Sequence, residues 1–236
     1  MKIIQKFFIF FGITLCIYSC KEDHVEPTLN QVYKSYFPMV KGFYVDYDVD
    51  SVVHLEDDDI YNMDTSILSF HFQLREQVDS QFIDPTGDTT YTILRYHRDA
   101  DSLPWDFINV WTAKVTNTSA QKVEDNVRFI KLAFPINFRQ TWNGNAFNFF
   151  PEEDYTYGDI FVPAQFGAIQ VDSAVTVIQD DFSSNINRIF KEEIYGSNIG
   201  MLSKELDSIN IRPQPDGTIL ILNGIDYKLT IRDYKH

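Results

Sequence analysis

The sequence predicts an all-β, antiparallel domain, and three observations support that class. Segments in which apolar and polar residues alternate recur along the chain, as in strands with one buried face. Phe (20) and Tyr (13) are abundant, and both residue types favour strands. Short turns join most of these segments, without alternation of strands and long helices. We therefore expect about ten strands in a strongly curved sheet, an open barrel or a sandwich.

The clearest strand signal runs from residue 42 to residue 55, where apolar and polar residues alternate. The odd-numbered residues from Phe43 to Val49 then share one face of a half-buried strand. Val52 and Val53 break the alternation, which predicts a β-bulge near Ser51.

The next segments predict hairpins. Alternation over residues 67–98, divided by a Pro- and Gly-containing turn at residues 84–88, predicts the first of them. A second hairpin is expected from residues 107–115 and 123–134, joined through residues 116–120.

A turn at residues 141–145 and strands at residues 173–179 and 199–211 are expected to follow. Residues 186–195 fit a helical turn and a strand almost equally, and their position in a β-rich chain favours a strand. In the segment from residue 219 to residue 231, Asn223-Gly224 separates two apolar runs. Because Asn-Gly accepts the positive φ angles of a type I′ turn, this segment predicts a two-residue hairpin.

Residues 1–19 predict a secretory signal peptide, since Lys2 and Lys6 precede a short apolar run. The run is too short to cross a bilayer comfortably as a helix. It ends in Ile17-Tyr18-Ser19-Cys20, which resembles the lipobox of bacterial lipoproteins, although Tyr18 replaces the small residue usual at its position. The resemblance implies cleavage before Cys20 and acylation of that cysteine by chains such as palmitate, which would anchor the protein to a membrane.

Lys21, Glu22 and Asp23 follow the cysteine and resemble the surface-export signal of Bacteroidota lipoproteins. That resemblance implies a lipid anchor in the outer membrane and display on the cell surface. If the three residues are only a charged tether, the protein faces the periplasm. We expect residues 20–31 to form the lipidated, flexible tether and residues 32–236 to form a single β-rich domain.

Charge and cysteine content exclude several function classes. Residues 1–19 contain two lysines and no acid, so without them 18 basic residues face 34 acidic ones, a formal net charge of −16. Nucleic acids and anionic lipid surfaces require Lys and Arg, so neither is expected as a partner. With Cys16 removed and Cys20 lipidated, no disulfide, thiol nucleophile or cysteine-based metal site would remain. We expect no cofactor.

Three groups of residues resemble an uncharacterised family of exported Bacteroidota-type lipoproteins. They are Tyr36-Phe37-Pro38 with the segment 42–50, Trp142-Asn143-Gly144-Asn145, and the segment 196–205 with Ile199-Gly200-Met201-Leu202 and Lys204. The similarity spans most of the mature domain, and none of its motifs is catalytic. It implies an exported β-rich domain and no particular activity.

An aromatic stretch is the candidate contact surface for a ligand. Aromatic rings present flat apolar area at small entropic cost, which suits a sugar face or a peptide. The same side chains also suit core packing, and the sequence leaves both interpretations open. The candidate contact residues are Trp142, Phe147, Phe149, Tyr155 and Tyr157.

Catalytic and metal-binding motifs are missing from the sequence. It contains no GxSxG, P-loop or GxGxxG pattern, and its five histidines do not have HExxH spacing. His54, His71 and His97 fall on three predicted strands and are expected to lie apart. The acidic runs 57–59 and 152–154 lack the spacing of an EF-hand loop and are expected to be solvated, so no metal is predicted.

We therefore expect a non-catalytic binding or interaction module of the cell envelope, with a glycan, a peptide, a lipid or an envelope protein as its partner. A curved sheet with an apolar concave face would indicate a lipid ligand, whereas exposed aromatics on a convex face or rim would indicate a glycan or a protein. The alternative is a surface or periplasmic glycan-directed hydrolase, which needs two carboxylates, or a histidine and an acid, in one cleft. A purely structural envelope role is the third interpretation.

Overall fold

The computed structural model describes residues 28–55 and 66–235, which form a short helix followed by a twelve-stranded antiparallel sheet. The helix is α1 (Leu29–Lys34). The first six strands are β1 (Tyr44–Leu55), β2 (Ser66–Ile83), β3 (Thr89–Arg98), β4 (Asp106–Val115), β5 (Ser119–Glu124) and β6 (Val127–Ala133). The last six strands are β7 (Thr141–Asn143), β8 (Asp154–Phe166), β9 (Ile169–Ser183), β10 (Asn187–Gly196), β11 (Gly200–Pro213) and β12 (Ile219–Lys235).

The sheet curves into a nearly closed barrel. Its strand order is β6-β5-β4-β3-β2-β1-β12-β11-β10-β9-β8-β7, so β6 and β7 are the two edges. The Ile130 amide of β6 donates to the Gly144 carbonyl at 2.9 Å, and the Trp142 indole of β7 donates back to the Ile130 carbonyl at 3.0 Å. The predicted antiparallel all-β class is confirmed, with two strands more than the expected ten.

Helix α1 begins inside the segment 20–31 that the sequence predicts to be a tether. Residues up to 31 were expected to be flexible, but α1 starts at Leu29 with a capping box between Thr28 and Gln31. Tyr36 and Phe37 follow the helix and are buried, and the hydroxyl groups of Tyr36 and Ser173 are 2.6 Å apart. The segment after α1 therefore packs into the core. Among the described residues, no helix has the length and hydropathy of a membrane span.

Strand β1 lacks the predicted bulge. It pairs with β2 without a shift from Tyr44 to Leu55, so the bulge expected near Ser51 is wrong. The alternation continues through Val52 and Val53, which lie on opposite faces. The irregularity lies instead between Asp46 and Tyr47, where the pairing with β12 shifts.

The region predicted as one hairpin over residues 107–134 contains three strands, β4, β5 and β6. Asp125 and Asn126 have φ angles of 48° and 67°, which are typical of a tight two-residue turn, and this turn divides β5 from β6. Residues 141–143 of the predicted turn form the edge strand β7. Residues 186–195 are largely strand, as predicted, within β10.

The predicted C-terminal hairpin is wrong, because residues 219–235 form the single strand β12. Asn223 and Gly224 lie inside this strand, and its pairing with β11 shifts just before them. Gly224 has a φ angle of +139°, and a Cβ atom there would collide with the carbonyl oxygen of Ser208. The close approach of β11, and not a turn, requires glycine at this position.

Candidate functional site

Seven charged side chains from six strands are linked to one another by ion pairs inside the barrel. Directly paired residues of an antiparallel sheet share a face, and the pairs Glu76–Arg95 and Glu193–Lys204 lie on the inner one. We call this set the interior ion network. Its members are Glu76 on β2, Arg95 on β3, Lys122 and Glu124 on β5, Lys131 on β6, Glu193 on β10 and Lys204 on β11.

The first half of the network links β2, β3 and β5. Arg95 Nε lies 3.3 Å from Glu76 Oε1, and Lys122 Nζ donates to Glu76 Oε2 at 2.7 Å. Lys122 Nζ also lies 3.8 Å from Glu124 Oε1. Each of these side chains is largely withdrawn from solvent, so the attraction between their charges is weakly screened.

The second half links β5, β6, β10 and β11. Lys131 Nζ lies 3.0 Å from Glu124 Oε1 and donates to Glu193 Oε1 at 2.9 Å. Tyr195 Oη donates to Glu193 Oε2 at 2.6 Å. Lys204 Nζ lies 3.4 Å from Glu193 Oε1. Glu193 is fully buried, and three partners compensate its charge.

The pKa shifts show that the central groups keep their charges. Burial alone would raise the pKa of the Glu193 carboxyl, but the ammonium groups of Lys131 and Lys204 lower it below its usual value. The same balance of burial against neighbouring lysines lowers the pKa of Glu124. Burial would lower the pKa of Lys131, but Glu124 and Glu193 raise it. Both carboxylates and the ammonium group therefore remain ionised at neutral pH.

The interior ion network carries one positive charge in excess, with four basic and three acidic side chains. This sign is opposite to that of the chain as a whole, whose formal net charge is −14. Lys204 is the most weakly held of the lysines, because it makes only the 3.4 Å ion pair with Glu193 and, among the described residues, no hydrogen bond.

Above the first half of the network lies an open cavity of about 220 Å³. Its charged lining residues are Glu76, Arg95, Lys122, Glu124 and Lys204. The guanidinium carbon of Arg95 is 3.5 Å from the centre of the Trp111 ring, a cation–π arrangement. The apolar wall consists of Met201, Leu206, Ile225, Tyr227 and Leu229.

A second lobe of about 160 Å³ shares Glu124, Lys204 and Leu206 with this cavity. Gln179 lines the second lobe and is only 7% exposed. Its Nε2 atom has no hydrogen-bond partner within residues 28–55 and 66–235. Buried amide donors are ordinarily paired, so this one marks a place where an acceptor fits.

An apolar track leads from the cavity towards the rim. Tyr227 of the cavity wall pairs with Ser51 of β1, which pairs in turn with Phe70 of β2. Phe70 therefore lies on the inner face, as does Leu68 two residues away. Phe70 is 49% exposed and Leu68 is 46% exposed. The concave face is thus apolar where it leaves the cavity.

The predicted aromatic contact residues fall into a buried group and an exposed group. Tyr155 and Tyr157 are buried in the core, and the Trp142 ring packs 4.6 Å from that of Tyr157. These three side chains pack where the two edge strands of the barrel meet, which agrees with the core-packing interpretation. Phe147 and Phe149 lie between β7 and β8 and remain exposed.

The histidines do not converge. His54 lies 2.8 Å from Asp226, His71 lies 2.8 Å from Asp50, and His97 lies 3.2 Å from Asp99. In residues 28–55 and 66–235, no three His, Cys, Asp or Glu side chains form a group able to hold a metal ion.

Several predicted features lie outside the described residues. They are the signal peptide, the predicted lipidation site Cys20, the export signal Lys21, Glu22 and Asp23, and the acidic run 57–59. Of the other acidic run, Glu153 is held by Lys191, whose Nζ donates to Glu153 Oε1 at 2.6 Å.

The sequence interpretation missed the interior ion network, because a charged residue on a strand is normally assigned to the solvent face. A signal was present at Lys204, which lies in the same alternation phase as Leu202 and Leu206. A lysine between two inward leucines indicates a charge inside the barrel.

The described residues thus define a nearly closed antiparallel barrel with a charged interior. Among solved structures, the fold is similar to that of a "putative exported protein with YmcC-like fold" from Bacteroides fragilis, with 11% identity, a TM-score of 0.46 and coverage of 85% of this chain and 98% of that one. It is also similar to a "putative lipoprotein" from Parabacteroides distasonis, with 9% identity, a TM-score of 0.40 and the same coverage. No protein-family model and no curated protein matches the chain.

Proposed function

We propose that the protein is an envelope lipoprotein that acts as a non-catalytic binding module, with its ligand inside the barrel. One observation carries the binding role: an open cavity combines an apolar wall with a few converging polar groups. Ligand sites of proteins are typically built in this way. A purely structural barrel would have no need of an open interior or of Gln179 with an unpaired buried amide.

The interior carboxylates favour binding over the alternative hydrolase. Glycoside hydrolysis ordinarily needs one carboxyl group held protonated and a second one facing it. Glu124 and Glu193 have lowered pKa values because their lysine partners outweigh the effect of burial, so neither supplies the protonated acid. Glu76 is engaged by Arg95 and Lys122.

Thermal unfolding of the full chain in nanodiscs, with a panel of short anionic, neutral and cationic amphiphiles, tests the binding role. We expect at least one amphiphile to raise the melting temperature, because a ligand that binds only the folded state stabilises it. Leu206→Trp would fill the cavity and remove that shift. Ile219→Trp is the matched control, since Ile219 is on β12 and exposed.

Leu206→Trp must first show the circular dichroism of the parent, and Ile225→Phe serves as a milder second variant if it does not. A panel in which no amphiphile shows a shift that depends on these cavity residues would refute an interior binding site.

The anchor rests on the resemblance of Ile17–Cys20 to a lipobox and the surface position on Lys21, Glu22 and Asp23. Protease shaving of intact cells, with Cys20→Ala as control, tests both. Digestion of the parent protein, with the control released or retained inside, would support surface anchoring in the outer membrane. Protection of the parent would place the protein on the periplasmic face, and a Cys20→Ala protein that fractionates with membranes like the parent would overturn the anchor.

A further inference from the structure

We infer that the ligand of the cavity is a single-chain amphiphile with a monoanionic head group such as a carboxylate, an inference that rests on the proposed function. The head group would bind Lys204 and Gln179 in the second lobe. The apolar chain would lie against Leu206 and Tyr227 and leave along the inner face towards Phe70.

The charge of the interior supports an anionic head group. The interior ion network has four basic and three acidic members, so one positive charge has no counter-charge within it. Of the other charged residues that line the second lobe, Lys191 is paired with Glu153, and Glu205 is paired with Lys228. An unbalanced charge is costly in a region withdrawn from water. A bound monoanion would neutralise it, whereas a cationic head group would double the imbalance.

The hydrogen-bond donors support the same conclusion. Among the described residues, Gln179 Nε2 is a buried donor without a partner, and Lys204 lines the same lobe with one ion pair, at 3.4 Å, and no hydrogen bond. The three carboxylates that line this lobe are engaged elsewhere: Glu124 pairs with Lys131, Glu153 with Lys191, and Glu205 with Lys228. An anionic oxygen brought by the ligand would accept from Gln179 and Lys204.

The shape of the cavity supports a single apolar chain. Its volume of about 220 Å³ is smaller than that of typical drug-sized pockets, which leaves room for one chain and not for two. Leu229, Tyr227 and Ile225 follow one another at every second position of β12, a path of about 14 Å at strand spacing. The half-exposed Phe70 and Leu68 extend this apolar surface to the rim.

Calorimetric titration of the full chain in nanodiscs tests the inference, with heats from empty nanodiscs subtracted. The probes share a ten-carbon chain and differ in head group: decanoate, decanol and decyltrimethylammonium. We expect decanoate to bind at least about tenfold more tightly than the other two, as a charge-assisted hydrogen bond would give. Acetate, which has the head group alone, should bind far more weakly than decanoate.

Lys204→Met should weaken decanoate binding about tenfold and leave decanol binding unchanged. Lys228→Met is the matched control, because Lys228 is a lysine on the outer face of β12 and pairs with Glu205. It should change neither affinity. If Lys204→Met fails to fold, Gln179→Leu, which removes the unpaired donor, should weaken decanoate binding severalfold.

The outcomes separate this inference from the proposed function. Equal affinities of decanoate and decanol, both abolished by Leu206→Trp, would overturn the anionic head group and leave a binding module. Acetate binding as tight as that of decanoate would overturn the amphiphile. If no probe shows binding that is lost in Leu206→Trp, both the inference and the proposed interior binding site would be refuted.

Discussion

Glu192 and Glu193 are neighbours on β10, yet their environments are opposite. The pKa of Glu192 is raised by partial burial and then by the charge of Glu205. The pKa of Glu193 is lowered, because Lys131 and Lys204 outweigh the effect of burial. Strand alternation places the first carboxyl on the outer face and the second inside the barrel.

The two faces of β10, β11 and β12 differ in how charges are paired. On the inner face, Glu193 lies directly opposite Lys204. On the outer face, Glu192 lies opposite Glu205, and Asp207 lies opposite Asp226, so like charges face each other in these two pairs, although Glu205 also lies opposite Lys228 on β12. Like charges in cross-strand pairs destabilise a sheet slightly, and water screens them. Two cross-strand pairs on the outer face therefore bring like charges together, whereas the charged pair on the inner face, where the ligand is proposed to bind, is complementary.

The largest effect is expected for Glu193→Gln. It leaves Lys131 and Lys204 beside a neutral amide in the interior, and breaking a buried ion pair in this way typically costs about 3–5 kcal/mol. Urea unfolding at pH 7 measures the change in the free energy of unfolding. A loss below about 1 kcal/mol would contradict the assigned burial of this charge.

The difference in the free energy of unfolding between the parent and Glu193→Gln should change with pH in a defined direction. Because the folded-state pKa of Glu193 is lowered, its stabilisation is present above the unfolded pKa and is lost as the pH falls through the folded value. The gap between the parent and Glu193→Gln should therefore narrow as the pH is lowered from about 5 towards 2. A gap that widens on acidification would contradict the assignment.

Asp46→Asn should cause the second-largest loss of stability. It tests the Asp46–Arg75 ion pair, which lies on the outer face but is shielded from water. Asp46 is buried and accepts hydrogen bonds from Arg75 Nε at 2.6 Å and Nη2 at 2.7 Å. The guanidinium group lies over the Tyr44 ring at 4.0 Å and the Trp105 ring at 4.7 Å, which shields the pair from water. We expect a loss of about 1.5–3 kcal/mol, typical of charged hydrogen bonds.

Asp48→Asn is the control for this pair. Asp48 contacts Arg232 at 3.0 Å, but both side chains are about one-third exposed. Urea unfolding should show a much smaller change than for Asp46→Asn. Equal losses would mean that shielding by the aromatic rings contributes nothing.

Local alternation predicted much of the fold, since it depends only on which face of a strand is buried. The strand beginning near Phe43 follows directly from it, and the Pro- and Gly-containing segment 84–88 correctly predicted the turn between β2 and β3. Asn223-Gly224 misled the prediction, because a hairpin signal describes only local backbone preference. The close approach of Ser208 that requires Gly224 is a contact between strands and leaves no local pattern.

The candidate site was less predictable, because it depends on the order in which strands close the barrel. Lys122, Lys131 and Glu193 lie on three different strands, and only the pairing of the sheet brings them to one place. A single sequence read by periodicity assigns each to solvent, as an ordinary charged strand residue. The position of Lys204 between two inward leucines was the one local indication.

A smaller effect of opposite sign is expected for Glu192→Gln. Removing the like-charge pair with Glu205 should stabilise the protein at pH 7 by at most about 0.5 kcal/mol. Because the folded-state pKa of Glu192 is raised, the penalty appears as the pH rises through that value and is absent below the unfolded pKa. The variant should therefore equal the parent near pH 3, and a variant less stable than the parent at pH 7 would contradict the comparison.

The smallest effect is expected for the outer Glu205–Lys228 pair. Comparing this pair with the inner Lys204–Glu193 pair is the most direct test of how burial strengthens an ion pair. Lys228 Nζ lies 3.3 Å from Glu205 Oε2, with side-chain exposures of 58% and 36%. The inner Lys204–Glu193 pair has a similar distance of 3.4 Å but exposures of 27% and 1%. Double-mutant cycles with Glu→Gln and Lys→Gln should give a coupling free energy of at most about 0.5 kcal/mol for the outer pair, vanishing in high salt.

The inner pair should retain a larger coupling in the same salt, because bulk ions do not screen a buried carboxylate. The two pairs share β11 and nearly the same distance, so burial is the variable that separates them. Equal couplings that fall together with salt would mean that water reaches Glu193 as freely as Glu205. The interior charge would then be as screened as the surface, and its excess cation would give no preference for an anionic ligand.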